Sequence, residues 1–174
     1  GRDAELEAHA TAAVVDHLHH PAAAHADHLR HGADDLLGAV DDEELDRLVD
    51  DYVAAARLAH ACGFRFVDAK ACHGYLGHEM LGATTRPGRY GGSIENRMRF
   101  ITRIVEGIRS AVPGLGVVVR ASIFDVVPHR KGPEGVGVPE PVTGEEPGFG
   151  VLMNGDIDRA LNDARMLLTH LSRI

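Results

Sequence analysis

Lys70, His73 and Tyr75 fall within six residues of one another, in the segment Lys70-Ala71-Cys72-His73-Gly74-Tyr75 that follows the apolar run Phe64–Ala69. An ammonium, an imidazole and a phenol at the tip of a buried strand can polarise a carbonyl oxygen and deliver a proton to carbon. Each has a plainer reading. Tyr75 can be a loop tyrosine packing its ring on a helix, His73 a structural histidine, and Lys70 half of an ion pair with Asp68 or Glu79. Strand alternation places Asp68 and Lys70 on one side. A second segment, Tyr90-Gly91-Gly92-Ser93-Ile94-Glu95-Asn96-Arg97-Met98-Arg99-Phe100, reads as a turn entering a helix.

The elements that must position these residues show in the hydrophobic pattern. Asp41-x-x-Glu44 reads as a capping box, and Leu45, Leu48, Val49, Tyr52, Val53, Ala56 and Ala59 repeat at helical spacing up to a left-handed cap at Gly63. Phe64–Ala69 is predicted as a short strand, followed by a glycine-rich loop from Gly74 to Gly92. Next comes a helix over about 96–110 with Phe100, Ile101, Ile104, Val105 and Ile108 on one face. Pro113-Gly114 breaks that helix. Leu115–Arg120 is a second strand, apolar enough to be buried on both faces. Strand, helix and strand at this spacing make a βαβ unit with a parallel sheet. Residues 126–155, rich in proline and glycine, read as a long loop. Asp156 is expected to cap a last helix carrying Ile157, Ala160, Leu161, Ala164, Leu167, Leu168 and Leu171.

The block from Cys62 to Arg120 resembles the old yellow enzyme family, the FMN-dependent NADH:flavin oxidoreductases. Its members carry His-x-x-His-x-Tyr or His-x-x-Asn-x-Tyr after a barrel strand, then Tyr-Gly-Gly-Ser-x-Glu-Asn-Arg-x-Arg-Phe, then an arginine ending the next strand. The second motif is met at every named position. The first is altered, with Lys70 in place of the first histidine, which puts the usual enone substrate in question. The resemblance covers roughly residues 43–125, is weak from 126 to 174 and is not evident before about residue 40. It implies an α/β fold, a partial (β/α)8 TIM barrel, and FMN as cofactor with NAD(P)H as reductant. The implied substrate is a small unsaturated or carbonyl-activated molecule.

By the same resemblance Tyr75 is the general acid. His73 and Lys70 hold the acceptor oxygen, and Arg120 lies against the flavin, where a permanent cation favours the reduced, anionic ring. Lys70 could also bind a substrate carboxylate or favour the phenolate of Tyr75, and Arg120 could pair with a surface carboxylate. The Tyr90–Arg97 segment reads as architecture: Ser93 or Asn96 caps the next helix, and Glu95 and Arg97 tie the loop to its neighbours. His78 and Glu79 are read as loop support.

Length and composition bound the rest. A chain of 174 residues can bury one sizeable core, but a full eightfold barrel takes about 250 residues. The chain therefore reads as a piece of a barrel, inactive and colourless by itself, able to self-associate through uncovered barrel edges. A net charge of −8 argues against a nucleic-acid surface. Two cysteines, Cys62 and Cys72, without a secretory leader or a long apolar run, suggest a soluble cytoplasmic protein. Residues 1–40 hold seven of the twelve histidines and read as a low-order leader, diverged or out of frame, set apart from a barrel domain over 41–174. His25, His28 and His31 share part of one helical face and suit a divalent metal, but no fixed pattern of further ligands accompanies them. Two readings besides the oxidoreductase therefore stand: a non-catalytic barrel remnant that binds no FMN, and a His-rich metal-binding protein using residues 9–31.

Overall fold

The computed structural model describes residues 40–125, 129–139, 148–150 and 157–174. The His25/His28/His31 face and the Asp156 cap lie outside these residues. The order is α1 (Asp42–Ala61), β1 (Phe66–Ala71), α2 (Leu76–Gly82), α3 (Ile94–Arg97), α4 (Arg99–Ala111), β2 (Gly116–Ala121), β3 (His129–Lys131), β4 (Gly137–Pro139), α5 (Ile157–Ala160) and α6 (Asn162–Leu171).

Helix α1 starts where its cap requires: Asp41 Oδ1 accepts from the Glu44 backbone N–H at 2.7 Å. Leu45, Val49, Ala56 and Ala59 are buried, with Leu48, Tyr52 and Val53 packed beside them. Gly63, at φ +90°, turns the chain out of the helix into β1. In α4, Phe100, Ile101, Ile104, Val105 and Ile108 are all buried. Each contributes about 1.5–3 kcal/mol on full burial, which outweighs the few tenths lost to β-branched helix residues. Edge-to-face contacts of Phe100 with Tyr52 at 6.1 Å and Tyr90 at 6.3 Å join α1 to α4.

Strands β1 and β2 pair in parallel, with Asp68 opposite Val118 and Lys70 opposite Arg120. This is the predicted βαβ unit. The buried Val67, Ala69 and Ala71 and the half-buried Val117, Val119 and Ala121 form the face that joins the helical core. Phe66, Asp68, Lys70, Val118 and Arg120 share the other face, where Phe66 is 38% and Val118 46% exposed. The expectation that β2 is buried on both faces is thus overturned: among the described residues, helices cover one side of the sheet only.

Four further expectations need correction. The stretch 74–92 is not all loop, because α2 occupies Leu76–Gly82 and packs on β1. The helix expected over 96–110 is two, with a joint at Met98 between α3 and α4. The segment 126–155 includes the antiparallel hairpin β3–β4, closed by a 3-10 turn at Pro133–Gly135. The last helix is likewise divided at Leu161, and only Ala164 and Leu167 of its stripe are fully buried; Ile157 and Leu168 stay exposed.

Candidate active site

Lys70 lies inside β1 rather than after it, because the strand runs on to Ala71. Its ammonium sits over the Tyr75 ring, 3.1 Å from the centroid, where the negative face of the ring attracts a cation. Arg120 stands opposite Lys70 on β2. Its Nε donates to Asp68 Oδ2 at 2.7 Å. Asp68 therefore pairs with Arg120, not with Lys70, and Arg120 meets a carboxylate as its plainer reading held. The other carboxylate oxygen, Asp68 Oδ1, is buried and has no hydrogen-bond partner among the described residues.

The turn between β1 and α2 is unusual in its backbone. His73 (φ +60°) and Gly74 (φ +68°) are both left-handed. For a residue with a β-carbon this costs on the order of 1–2 kcal/mol, so outside contacts must hold it. The His73 backbone N–H donates to Ser122 Oγ, just beyond β2, at 3.4 Å. The Gly74 N–H donates to His78 Nδ1 at 2.9 Å. Tyr75 follows as the N-cap residue of α2, and its carbonyl accepts from His78 N at 2.7 Å and Glu79 N at 3.0 Å. The helix thus fixes the backbone of the residue expected to deliver a proton. His73 itself is exposed, and Cys72 before it is buried whereas Cys62 is exposed.

His78 is 6% exposed. Asp125 Oδ1 approaches its Nε2 to 2.8 Å but is not aligned as a hydrogen-bond acceptor. Asp125 is itself held by Phe149, through N–H to Oδ2 at 2.6 Å and from its own N–H to the Phe149 carbonyl at 2.7 Å. Glu79 completes the group: burial raises its carboxyl above the ordinary range, the Asp125 charge adds to the rise, and His78 opposes it.

The second motif is architectural. Ser93 Oγ accepts from the Asn96 N–H and caps α3, while the Asn96 side chain holds the Gly91 carbonyl. Arg97, 6% exposed, donates to the Leu81 carbonyl at 2.5 Å, the Gly92 carbonyl at 3.0 Å and Asp163 Oδ2 at 2.7 Å. Glu95 is exposed and interacts locally with Ser93 instead of tying the loop to its neighbours. Tyr90, fully buried, donates to Asp46, which also receives Arg103.

The structure therefore brings Lys70, Tyr75 and Arg120 to one end of the two strands, with His73 on the same turn. Sequence reasoning placed His78 and Glu79 as loop support but missed Ser122 and Asp125; a serine and an aspartate just past a strand end carry no spacing signal. Among the described residues no three histidine, cysteine or acidic side chains are grouped to hold a metal. None of the described helices is long and apolar enough to cross a membrane.

The sequence profile of the NADH:flavin oxidoreductase / NADH oxidase family matches residues 1–137. The chain belongs to that family. It is 38% identical over 86 residues to NADH:flavin oxidoreductase FG08077 of Gibberella zeae, covering 48% of this chain and 21% of that protein. It is 38% identical over 84 residues to putative 12-oxophytodienoate reductase 4 of Oryza sativa subsp. japonica, covering 47% and 22%. Among solved structures, morphinone reductase aligns at 32% identity with a TM-score of 0.46, over 49% of this chain and 23% of that one. The chain thus spans about a fifth of the length of these curated relatives.

Proposed function

We propose that this chain carries the acceptor-binding part of an FMN-dependent oxidoreductase site in a (β/α)8 barrel, with NAD(P)H as reductant and a small unsaturated or carbonyl-activated molecule as acceptor. The observation that carries this reading is the meeting of Lys70 with Tyr75 beside Arg120, at one end of two parallel strands in a chain of this family.

The residues present suit the ring of the flavin. Arg120 offers a permanent cation on the open sheet face, held by Asp68, whose second oxygen is a buried acceptor still lacking a donor. FMN, when bound, supplies hydride to the acceptor. Arg120 would hold the flavin and stabilise negative charge on its reduced ring. Lys70 and His73 hold the acceptor oxygen as charge builds there. Tyr75 gives its hydroxyl proton to the carbon next to the one that receives hydride, and takes a proton back from water before the next turnover.

In the flavin-loaded protein, Tyr75→Phe is expected to slow acceptor reduction by about 10²–10⁴-fold while leaving flavin reduction by NAD(P)H unchanged. Stopped-flow absorbance of the two half-reactions checks this, and an equal loss in both removes Tyr75 from the proton-donor role.

The open sheet face favours a second reading, in which the chain binds no FMN and pairs through this face with a second copy. Phe66 and Val118 lie beside Asp68, Lys70 and Arg120, so one face offers apolar surface and both signs of charge to its own copy.

A further inference from the structure

Two successive left-handed residues are held, at Gly74, by a side chain that can accept a hydrogen bond only in one charge state. His78 Nδ1 accepts from the Gly74 N–H at 2.9 Å. That nitrogen therefore carries no hydrogen, and the neutral ring bears its proton on Nε2, which lies 2.8 Å from Asp125 Oδ1 without being aligned to it. Adding a proton to the ring places a second N–H on Nδ1, directly against the Gly74 N–H. Two donors then face each other in a site from which His78 is almost wholly shut off from water.

Among the described residues, the charged groups that interact with the ring are Asp125, from the loop after β2, and Glu79, from α2 itself. The Phe149 ring stands edge-on at 6.4 Å. Asp125 supports an imidazolium through Nε2, whereas the Gly74 amide opposes it through Nδ1. The cation is therefore reached without losing Asp125, and the contact that gives way is the one to the turn.

We propose that His78 is a positioning residue for the turn His73-Gly74-Tyr75, clasping it while the imidazole is neutral and releasing it on uptake of one proton from water. Without the clasp, His73 loses the nearer of the two contacts that hold its left-handed backbone, and the tip of β1 loosens from α2. The inference concerns the turn alone and stands whether or not Tyr75 delivers a proton.

The test uses the full 174-residue chain labelled with 15N. A coupling across the hydrogen bond between the Gly74 amide nitrogen and His78 Nδ1 is expected while the ring is neutral, with loss once it has taken up a proton, the charge state being read from the His78 ring shifts themselves. His78→Leu is expected to speed exchange of the Gly74 amide about tenfold, the loss of one hydrogen bond. His78→Asn, whose side-chain oxygen accepts but does not titrate, is expected to restore the protection across the same titration. A coupling that is absent while the ring is neutral, or that survives its titration, overturns the proposal. So does an Asn variant whose Gly74 amide exchanges as fast as a solvent-exposed one. These arms decide the matter even if the Leu variant does not fold.

Discussion

Burial raises the Glu79 carboxyl above its ordinary value of 4.5, with Asp125 adding and His78 subtracting. The folded chain then holds this proton more tightly than the unfolded chain does. Between the ordinary value and the raised one the unfolded state binds fewer protons, so stability falls as pH rises through that window. Glu79→Gln removes the penalty. It is expected to raise the urea midpoint at neutral pH, with the gain shrinking as pH falls to about 4. A gain that is the same at both pH values places the effect in packing instead. The partners of such residues were only half legible in the sequence. Alternation put Asp68 and Lys70 on one face of β1, but the choice between Lys70 and Arg120 depends on register across a 52-residue separation, which no local pattern encodes. Lys70 instead found the ring of Tyr75, five residues on, because the chain turns sharply at His73 and Gly74.

Among the elements, α1 is held at its first turn by an acidic side chain that reaches outward. Asp42 accepts from Arg86 Nη1 and from the Arg89 backbone N–H, both at 2.6 Å. Burial pushes its carboxyl upward, but the Arg89 amide and the Arg86 guanidinium outweigh that and hold it below 3.8. A lowered folded value means stability that is present above the ordinary value and lost as pH falls through the folded one. Asp42→Asn is expected to cost about 1.5–3 kcal/mol at neutral pH, the range for hydrogen bonds to charged groups. The difference should narrow toward about pH 2; thermal melts at several pH values check both. Helices α1 and α4 were legible because a 3.6-residue apolar period runs for several turns, up to Gly63 in the first and to the break at Pro113-Gly114 in the second. Helix α2 was not. Its seven residues include Gly77 and Gly82, which lower helix propensity, and it persists because Met80 and Leu81 bury into the core.

At the scale of the whole molecule, the described helices cover one face of the sheet and leave the other open. The Val117–Val119 run looked fit for burial on both sides because a sequence shows apolar residues, not what covers them. If the open face seats a second copy, sedimentation equilibrium of the purified chain is expected to show a dimer that Val118→Lys returns to monomer. A monomer at all concentrations up to the high micromolar range speaks against the pairing. The C-terminal helix is bound to the rest through Arg97, which links the Leu81 and Gly92 carbonyls to Asp163. That is why the most family-specific motif of the sequence is structural.

The two cysteines lie ten residues apart, one facing water at the end of α1 and the other sealed beneath the turn at His73. An alkylating reagent thus meets a fast thiol and a slow one in a single molecule. The fast rate calibrates the reagent, and the slow rate clocks how often the ground under the proposed proton donor comes open.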